Sequence, residues 1–232
     1  MIFSIRRTSK IRGVIMAETP TKPDFYDISP TIHEGIAVFP GDTAFSRKEL
    51  MSFDGGSHLD LSTITTTVHL GAHTDAPSHY HKDGKSIEQR DLMLYMGPCQ
   101  VITVRPEKKG RITKEHVATD IKAPRVLFRT DSFSNPDQWN DDFNSLSPEL
   151  IDWLSSLGVR LVGIDTPSVD PSDSKDLPSH QALYRNDMAV LEGILLTEVP
   201  DGLYNLIALP LRIKGADASP VRAILLTLGD QS

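Results

Sequence analysis

The chain has 232 residues, of which 39% are hydrophobic and 24% are charged, and its formal net charge is −7 at pH 7. This composition is ordinary for a globular protein, and the acidic balance argues against a nucleic-acid partner because phosphate binding requires a basic face. No apolar run approaches the roughly 20 residues of a membrane span, so no membrane partner is expected either.

The cysteine content restricts both the compartment and the kind of metal site that the chain can build. Cys99 is the single cysteine, which excludes an internal disulfide framework and thiolate-rich zinc sites. Any metal ion must therefore be held by nitrogen and oxygen donors, and a reducing cytoplasm is the expected location.

The length suits one domain, but the first residues differ in character from the rest. Arg6, Arg7, Lys10 and Arg12 lie where a signal peptide would have its apolar core. We therefore expect residues 1–20 to form a flexible leader and residues 21–232 to form a single domain.

The patterns along the chain predict mostly strands at first, and strands alternating with helices later. A Pro-Gly turn after a short apolar run predicts a strand that leads into a loop within residues 31–45. Runs rich in β-branched or apolar residues predict further strands at 61–70, 99–105, 124–130, 159–165, 188–196, 204–213 and 220–228. Helices are predicted at 112–121, after the N-cap Ser147, and around 179–186. These elements indicate an α/β domain with a mixed β-sheet packed by helices.

The segment HLGAHTDAPSHYH, residues 69–81, holds four of the eight histidines. It is either a metal site or a polar loop rich in imidazole. In a straight strand His69 and His73 would lie about 13 Å apart, too far to share an ion through bonds of about 2.0–2.1 Å. A helix would be weakened at Gly71 and broken at Pro77. A metal site therefore requires a bend, and Gly71 is where the chain can bend at low cost.

The donor types in this segment decide which metal ions it could hold. Two imidazoles and the carboxylate of Asp75 suit zinc or manganese, but three local donors do not close a structural site. Further ligands must come from elsewhere in the chain, or water must fill the shell. Other polar residues are interpreted as structural, namely His33, His58, His81, His116, Asp165 and Asp170.

At this point the residues resemble a known family. The segment HLGAHTDAPSH resembles the HxGxHxDxPxH signature of the cyclase-like metal hydrolases. The likeness begins near Asp27 and continues, in the family's order, through DISPTIHEGIAVFPGD, YMGPCQVI, GIDTPSVDPSDSKDLPSHQAL, VLEGILL and ALPLRIKGADASPVRAIL. It implies the family's swivelling β/β/α fold and a homodimer.

The resemblance also implies roles for individual residues. Five residues would be metal ligands: His69, His73, Asp75, His180 and Glu192. Asp75 and Glu192 would each bridge two zinc ions per subunit, with manganese as an alternative, and His79 would donate and accept the proton. Glu192 also has an independent physical argument, because a carboxylate inside the apolar run MAVLEGILL is costly to bury unless a cation compensates it.

The implied substrate is a small aromatic formamide. Within the family, the later blocks favour members that hydrolyse N-formyl-L-kynurenine to L-kynurenine and formate. Phe39 occupies the place where the family usually carries a tryptophan against the substrate's ring, so a stacking face is kept and the indole N–H is lost. The alternatives are a hydrolase of a cyclic amide such as isatin, and a non-catalytic metal-binding protein on the same scaffold. A serine nucleophile is not favoured, because the chain lacks a GxSxG elbow.

Overall fold

A computed structural model describes residues 23–228 and is built around a β-sheet of seven strands. The strands of the described chain are β1 Phe25–Asp27, β2 Ser46–Met51, β3 Leu61–Thr65, β4 His73–Asp75, β5 Met96–Thr103, β6 Arg111–Ile112, β7 Arg125–Arg129, β8 Ser145–Leu146, β9 Leu161–Ile164, β10 Ala189–Leu191, β11 Gly202–Ile207, β12 Ala218–Pro220 and β13 Ile224–Thr227. The helices are α1 Pro77–Tyr80, α2 Pro148–Ser156 and α3 Pro178–Arg185, with 3₁₀ turns at Ile87–Gln89, Leu92–Leu94 and Lys114–His116. The predicted leader, residues 1–20, lies outside the described residues.

The main sheet is mixed, as the sequence predicts. Its strand order is β1-β13-β11-β5-β7-β9-β10. The pairs from β1 to β5 are antiparallel, whereas β5, β7, β9 and β10 run parallel to one another. The parallel half contains the strands that alternate with helices in the sequence, which is the arrangement that crossover connections require.

The two faces of this sheet are both buried, and strand residues alternate between them. In β7, Val126 and Phe128 face a core shared with the helices, whereas Leu127 faces the opposite core. Leu150, Ile151 and other apolar residues of α2 and α3 cover the first face. The second face is covered by loops and by the short strands that carry the histidine-rich segment.

Helix α2 forms where its end signals predict it. The Ser147 hydroxyl accepts a hydrogen bond of 3.1 Å from the amide of Leu150, and Pro148 occupies the first turn. Gly158 follows the helix with a φ of +85°, a conformation that favours glycine. Here local sequence alone sets both ends of the element.

Several predicted elements differ from the structure. The helix predicted at 112–121 is wrong, because Ile112 is held extended in β6 and only one 3₁₀ turn fits before Val117 and Ile121 pack against the core. The strand predicted within 31–45 is absent, and these residues form turns and loops. The strands predicted at 61–70, 188–196 and 204–213 are real but shorter, ending at Thr65, Leu191 and Ile207, and the strand predicted at 220–228 is confined to β13.

The early end of β10 matters because the chain then leaves the main sheet to meet β4. Residues 73 and 192 form an antiparallel bridge, in which each backbone amide donates to the other's carbonyl at 3.0 Å. Gly193 permits this approach, since its φ is +64° and a Cβ there would lie 2.2 Å from the carbonyl oxygen of Gly71. Strand β12 pairs with the other edge of β4. The fold thus brings His73 and Glu192 together through the backbone itself.

Within residues 23–228, no helix is long and apolar enough to cross a membrane.

Candidate metal centre

The histidine-rich segment bends where the sequence predicts. Strand β3 stops at Thr65, Gly71 has a φ of +55°, and the chain becomes extended again only at His73. The ring centroids of His69 and His73 lie 5.4 Å apart, so the straight strand that would have separated these side chains does not form. After Asp75 the chain enters α1 at Pro77, which places His79 on the same side of the site.

One set of donor atoms gathers around the Oδ1 atom of Asp75. This oxygen lies 2.9 Å from His69 Nδ1 and 3.6 Å from His73 Nε2. Glu192 Oε2 lies 3.3 Å from the same His73 nitrogen. Both carboxylate side chains are only 2% exposed.

A second set gathers around His180, which α3 brings in from the opposite side. Its Nε2 atom lies 3.5 Å from Asp75 Oδ2 and 3.6 Å from Glu192 Oε1. Each carboxylate therefore has one oxygen near His73 and its other oxygen near His180. The five residues that the resemblance implies as ligands thus converge, although they span residues 69 to 192.

The spacing of these atoms fits shared metal ions. Two ligands bound tetrahedrally at 2.0–2.1 Å lie about 3.3–3.4 Å apart, which is close to most of the separations above. Moreover, Asp75 Oδ1 is buried and accepts no hydrogen bond of normal geometry, despite the nearby imidazoles. The separations between donor atoms are therefore those expected of ligands that share an ion. Nitrogen and carboxylate oxygen suit zinc or manganese.

Each histidine of the two sets is fixed through its other ring nitrogen. His73 Nδ1 donates to the carbonyl oxygen of Gly71 at 2.9 Å. His180 Nδ1 contacts Asp170 Oδ2 at 2.8 Å, and His69 Nε2 contacts Asp217 Oδ2 at 3.0 Å. Such partners orient metal-binding imidazoles and fix their tautomers. The nitrogens left free are those that face the two carboxylates.

In the metal-free protein, protons supply the charge that these carboxylates need. Burial works to lower the pKa of His180, but hydrogen bonds and charges from Asp170, Asp75 and Glu192 outweigh it and raise the pKa to about 10. Burial likewise opposes protonation of His69, yet Asp75 and Asp217 raise its pKa to about 9. The pKa of His73 is also raised. Burial would raise the pKa of Asp75, but the surrounding imidazoles hold it well below its usual range.

His79 lies beside the two sets, as a proton-transfer group would. Its Nδ1 atom is 3.1 Å from Asp217 Oδ2, and its Nε2 atom is 3.8 Å from Asp75 Oδ2. Its side chain is 34% exposed, whereas His73 and His180 are buried. A single oxygen of Asp217 therefore contacts both His69 and His79, which links a candidate ligand to the candidate acid–base residue.

The donor sets open into a cavity of about 400 Å³ with an aromatic wall. Phe39 lines it, and the Phe39 ring meets Trp139 edge to face with centroids 5.1 Å apart. Phe133 packs against Trp139 in turn. Apolar walls around a few convergent polar groups are typical of a small-molecule site.

Sequence reasoning missed three residues of this site. The sequence predicts no role for Asp217 or Trp139, and it favours a turn role for Asp170. The signals for them were weak, since Asp217 lies in a block of small residues and Trp139 in a polar loop. The carboxylate of Asp165, which is interpreted as structural, accepts hydrogen bonds from the backbone amides of Thr130 and Asp131, and the residue also lines the cavity.

The fold and this site together define a class: a single-domain α/β protein with a candidate nitrogen- and oxygen-donor metal centre in an aromatic cavity. Residues 26–171 match the family model described as "Putative cyclase", and the chain belongs to this cyclase family.

Relatives and solved structures agree with that assignment. The chain is 45% identical over 206 residues to proteins named kynurenine formamidase from Bordetella petrii and Delftia acidovorans, covering 88% of this chain and 98% and 97% of theirs. A structure described as a potential metal-dependent hydrolase with cyclase activity superposes with a TM-score of 0.75 at 29% identity, covering 88% of this chain and 98% of that one. An isatin hydrolase shares the fold at 21% identity, with a TM-score of 0.76 over 89% of this chain and 93% of that one.

The raised histidine pKa values predict how the metal-free protein responds to pH. A pKa raised in the folded state stabilises the protein below the unfolded value of about 6.5, and this stabilisation is lost as the pH rises through about 9 to 10. We therefore expect the melting temperature of chelated protein to fall between about pH 7 and pH 10. Zinc binding near pH 7.5 should release protons, because His69 and His180 must lose theirs to coordinate.

Two measurements check this expectation. Thermal melts of chelated and zinc-loaded protein across the pH range measure the first effect. Calorimetry in buffers of different ionisation enthalpy measures the second. Zinc binding without proton release, or a chelated protein whose stability increases steadily with pH, would contradict the proposed competition between protons and metal.

Proposed function

We propose that this protein is a metal-dependent kynurenine formamidase, which hydrolyses N-formyl-L-kynurenine to L-kynurenine and formate. The observation that carries the proposal is the pair of buried carboxylates, Asp75 and Glu192, each with one oxygen near His73 and the other near His180, in an aromatic cavity. The relatives named kynurenine formamidase support the substrate.

In this proposal, five residues hold two zinc ions per subunit, with manganese as an alternative metal: His69, His73, Asp75, His180 and Glu192. When bound, zinc lowers the pKa of a coordinated water molecule to about 7 and stabilises the negative charge that develops on the formyl oxygen. Asp75 and Glu192 would serve both sets, because each has one oxygen near His73 and its other oxygen near His180.

His79 carries out the proton transfers. Its Nε2 atom faces Asp75, so it lies next to the donor sets, while Nδ1 is held by Asp217. His79 takes a proton from the attacking water and returns it to the aniline nitrogen as the amide bond breaks. Asp217 orients the ring through this contact with Nδ1.

The aromatic wall positions the substrate. Phe39 and Trp139 both line the cavity, and their rings pack edge to face. The indole N–H of Trp139 donates to Asp141 at 3.0 Å, so this tryptophan contributes apolar surface rather than a free donor to the cavity. We propose that the pair compensates for the tryptophan that Phe39 replaces.

A direct assay separates this proposal from the two alternatives. Zinc-loaded protein should hydrolyse N-formyl-L-kynurenine with a kcat/KM at least about tenfold above that for isatin, and chelation should abolish turnover until zinc is restored. Preference for isatin would favour the cyclic-amide hydrolase. Zinc binding without turnover of either compound would favour the non-catalytic protein.

The role of His79 gives a sharper prediction. His79→Ala should lower kcat by about 10²- to 10⁴-fold, the usual contribution of a general acid–base group, while zinc content stays unchanged. His81→Ala is the matched control, since His81 is two residues away but stacks on Tyr184 with ring centroids 3.7 Å apart. If His79→Ala instead lost its zinc, the residue would be a ligand and the assigned role would be wrong.

We further propose that the protein acts as a homodimer in the cytoplasm. The hairpin of β2 and β3 supports the dimer, because it leaves four large apolar side chains 48–62% exposed: Leu50, Phe53, Leu61 and Ile64. A two-stranded hairpin is only marginally stable alone, so a partner subunit that covers these exposed apolar side chains would stabilise it. Cys99 is buried and unpaired, which is compatible with a reducing compartment.

Light scattering on purified protein tests the dimer. We expect the wild type to have twice the mass of one chain and Ile64→Glu to shift toward one chain. Leu157→Glu, at a leucine 51% exposed beyond α2, is the control and should leave the mass unchanged. A wild type with the mass of one chain, or an Ile64→Glu protein that stays at twice that mass, would count against the hairpin as an interface.

A further inference from the structure

The three histidines of the donor sets are fixed by three different kinds of partner. His73 is held by a backbone carbonyl, His69 by the 47%-exposed carboxylate of Asp217, and His180 by the fully buried carboxylate of Asp170. The partner of His180 is therefore the one that cannot obtain charge compensation from solvent.

Besides His180 itself, Arg111 brings a positive charge to this carboxylate. Its Nη2 atom lies 2.9 Å from Asp170 Oδ1, on the far side of the carboxylate from His180 Nδ1, which contacts Oδ2. Arg111 itself is fixed, because its Nη1 atom donates to the Leu146 carbonyl at 2.6 Å and to the Ser179 hydroxyl at 2.8 Å. A chain of fixed contacts thus runs from β6 through Asp170 to His180.

The same carboxylate also fixes the start of α3. The backbone amides of Ser179 and His180 donate to Asp170 Oδ2 at 3.1 Å, so one carboxylate holds both the backbone and the ring of His180. Removing one partner of a buried charge pair leaves the other charge uncompensated. Loss of Arg111 should therefore disturb the position of His180 more than loss of a distant arginine would.

We propose that Arg111, acting through Asp170, is a positioning residue that sets the affinity of the second donor set for its metal ion. This inference rests on the metal centre of the proposed function. The second set consists of Asp75 Oδ2, His180 Nε2 and Glu192 Oε1. His69 and His73 have other partners, so the first set keeps its affinity when Arg111 is replaced. The metal affinities of the two donor sets then depend on different partner residues.

Zinc titration against a chromophoric chelator tests this inference without any measurement of activity. The wild type should bind two equivalents. Arg111→Gln should keep one of them at unchanged affinity and bind the other about 10- to 100-fold more weakly, the usual cost of losing such a supporting partner. Arg111→Lys should recover part of the loss, because it keeps the charge but not the forked geometry.

The matched control is Arg129→Gln. Arg129 is 19% exposed against 28% for Arg111, and it also donates to backbone carbonyls, but it lies away from the donor sets. We expect its variant to bind both equivalents as the wild type does. Asp170→Asn keeps the size of the side chain and removes its charge, and it serves if Arg111→Gln does not fold. It should weaken the same single equivalent.

The results separate this inference from the proposed function. The inference would be overturned if Arg111→Gln bound both zinc equivalents with wild-type affinity. The same result from Asp170→Asn, where that variant is used instead, would also overturn it. Equal weakening of zinc binding in Arg129→Gln would also overturn the inference, as would a wild type that binds fewer than two equivalents of zinc. Failure of zinc-loaded wild type to hydrolyse N-formyl-L-kynurenine would overturn the substrate and leave the role of Arg111 standing.

Discussion

Two carboxylates buried a few ångströms from the same imidazoles constrain the whole site. Asp75 and Glu192 are each only 2% exposed, and an ionised carboxylate without a partner is costly to bury. Each therefore needs positive charge close by. Protonated histidines can supply it in the metal-free protein, and divalent cations can supply it in the loaded one. The backbone bridge between residues 73 and 192 fixes Glu192 beside His73.

The rest of the fold holds Asp75 and Glu192 next to these imidazoles. The parallel half of the sheet ends at β10, next to Glu192, while α3 delivers His180 from the helical layer. Small strands outside the main sheet carry the histidine-rich segment and Arg111. The aromatic wall around Phe39 then closes one side of the cavity. Rigid elements fix the donors, and loops shape the space in front of them.

The features of the fold and the site that could be predicted from the sequence are those that depend on nearby residues. The bend at Gly71 followed from the requirement that His69 and His73 share an ion, and Glu192 stood out inside an apolar run. Helix α2 carried its own end signals. The helix predicted at 112–121 was wrong because strand pairing at Ile112 overrides local preference, as tertiary context often does.

The residues that sequence reasoning missed act through contacts made only in the folded chain. Asp217 lies 138 residues from His79, and Asp170 lies 10 residues from His180. Neither has a spacing that distinguishes it from an ordinary turn or loop carboxylate. Trp139 likewise meets Phe39 only because two loops converge. Roles of this kind depend on the identity of a spatial neighbour, which one sequence does not supply.

The proposed metal centre requires that Asp75 and Glu192 each serve two metal ions. Diffraction from crystals grown with zinc, recorded at the zinc absorption edge, measures this directly. We expect two anomalous peaks, one beside His69 and His73 and one beside His180, with both carboxylates reaching each peak. A single peak, or two peaks that Glu192 does not contact, would contradict this proposal.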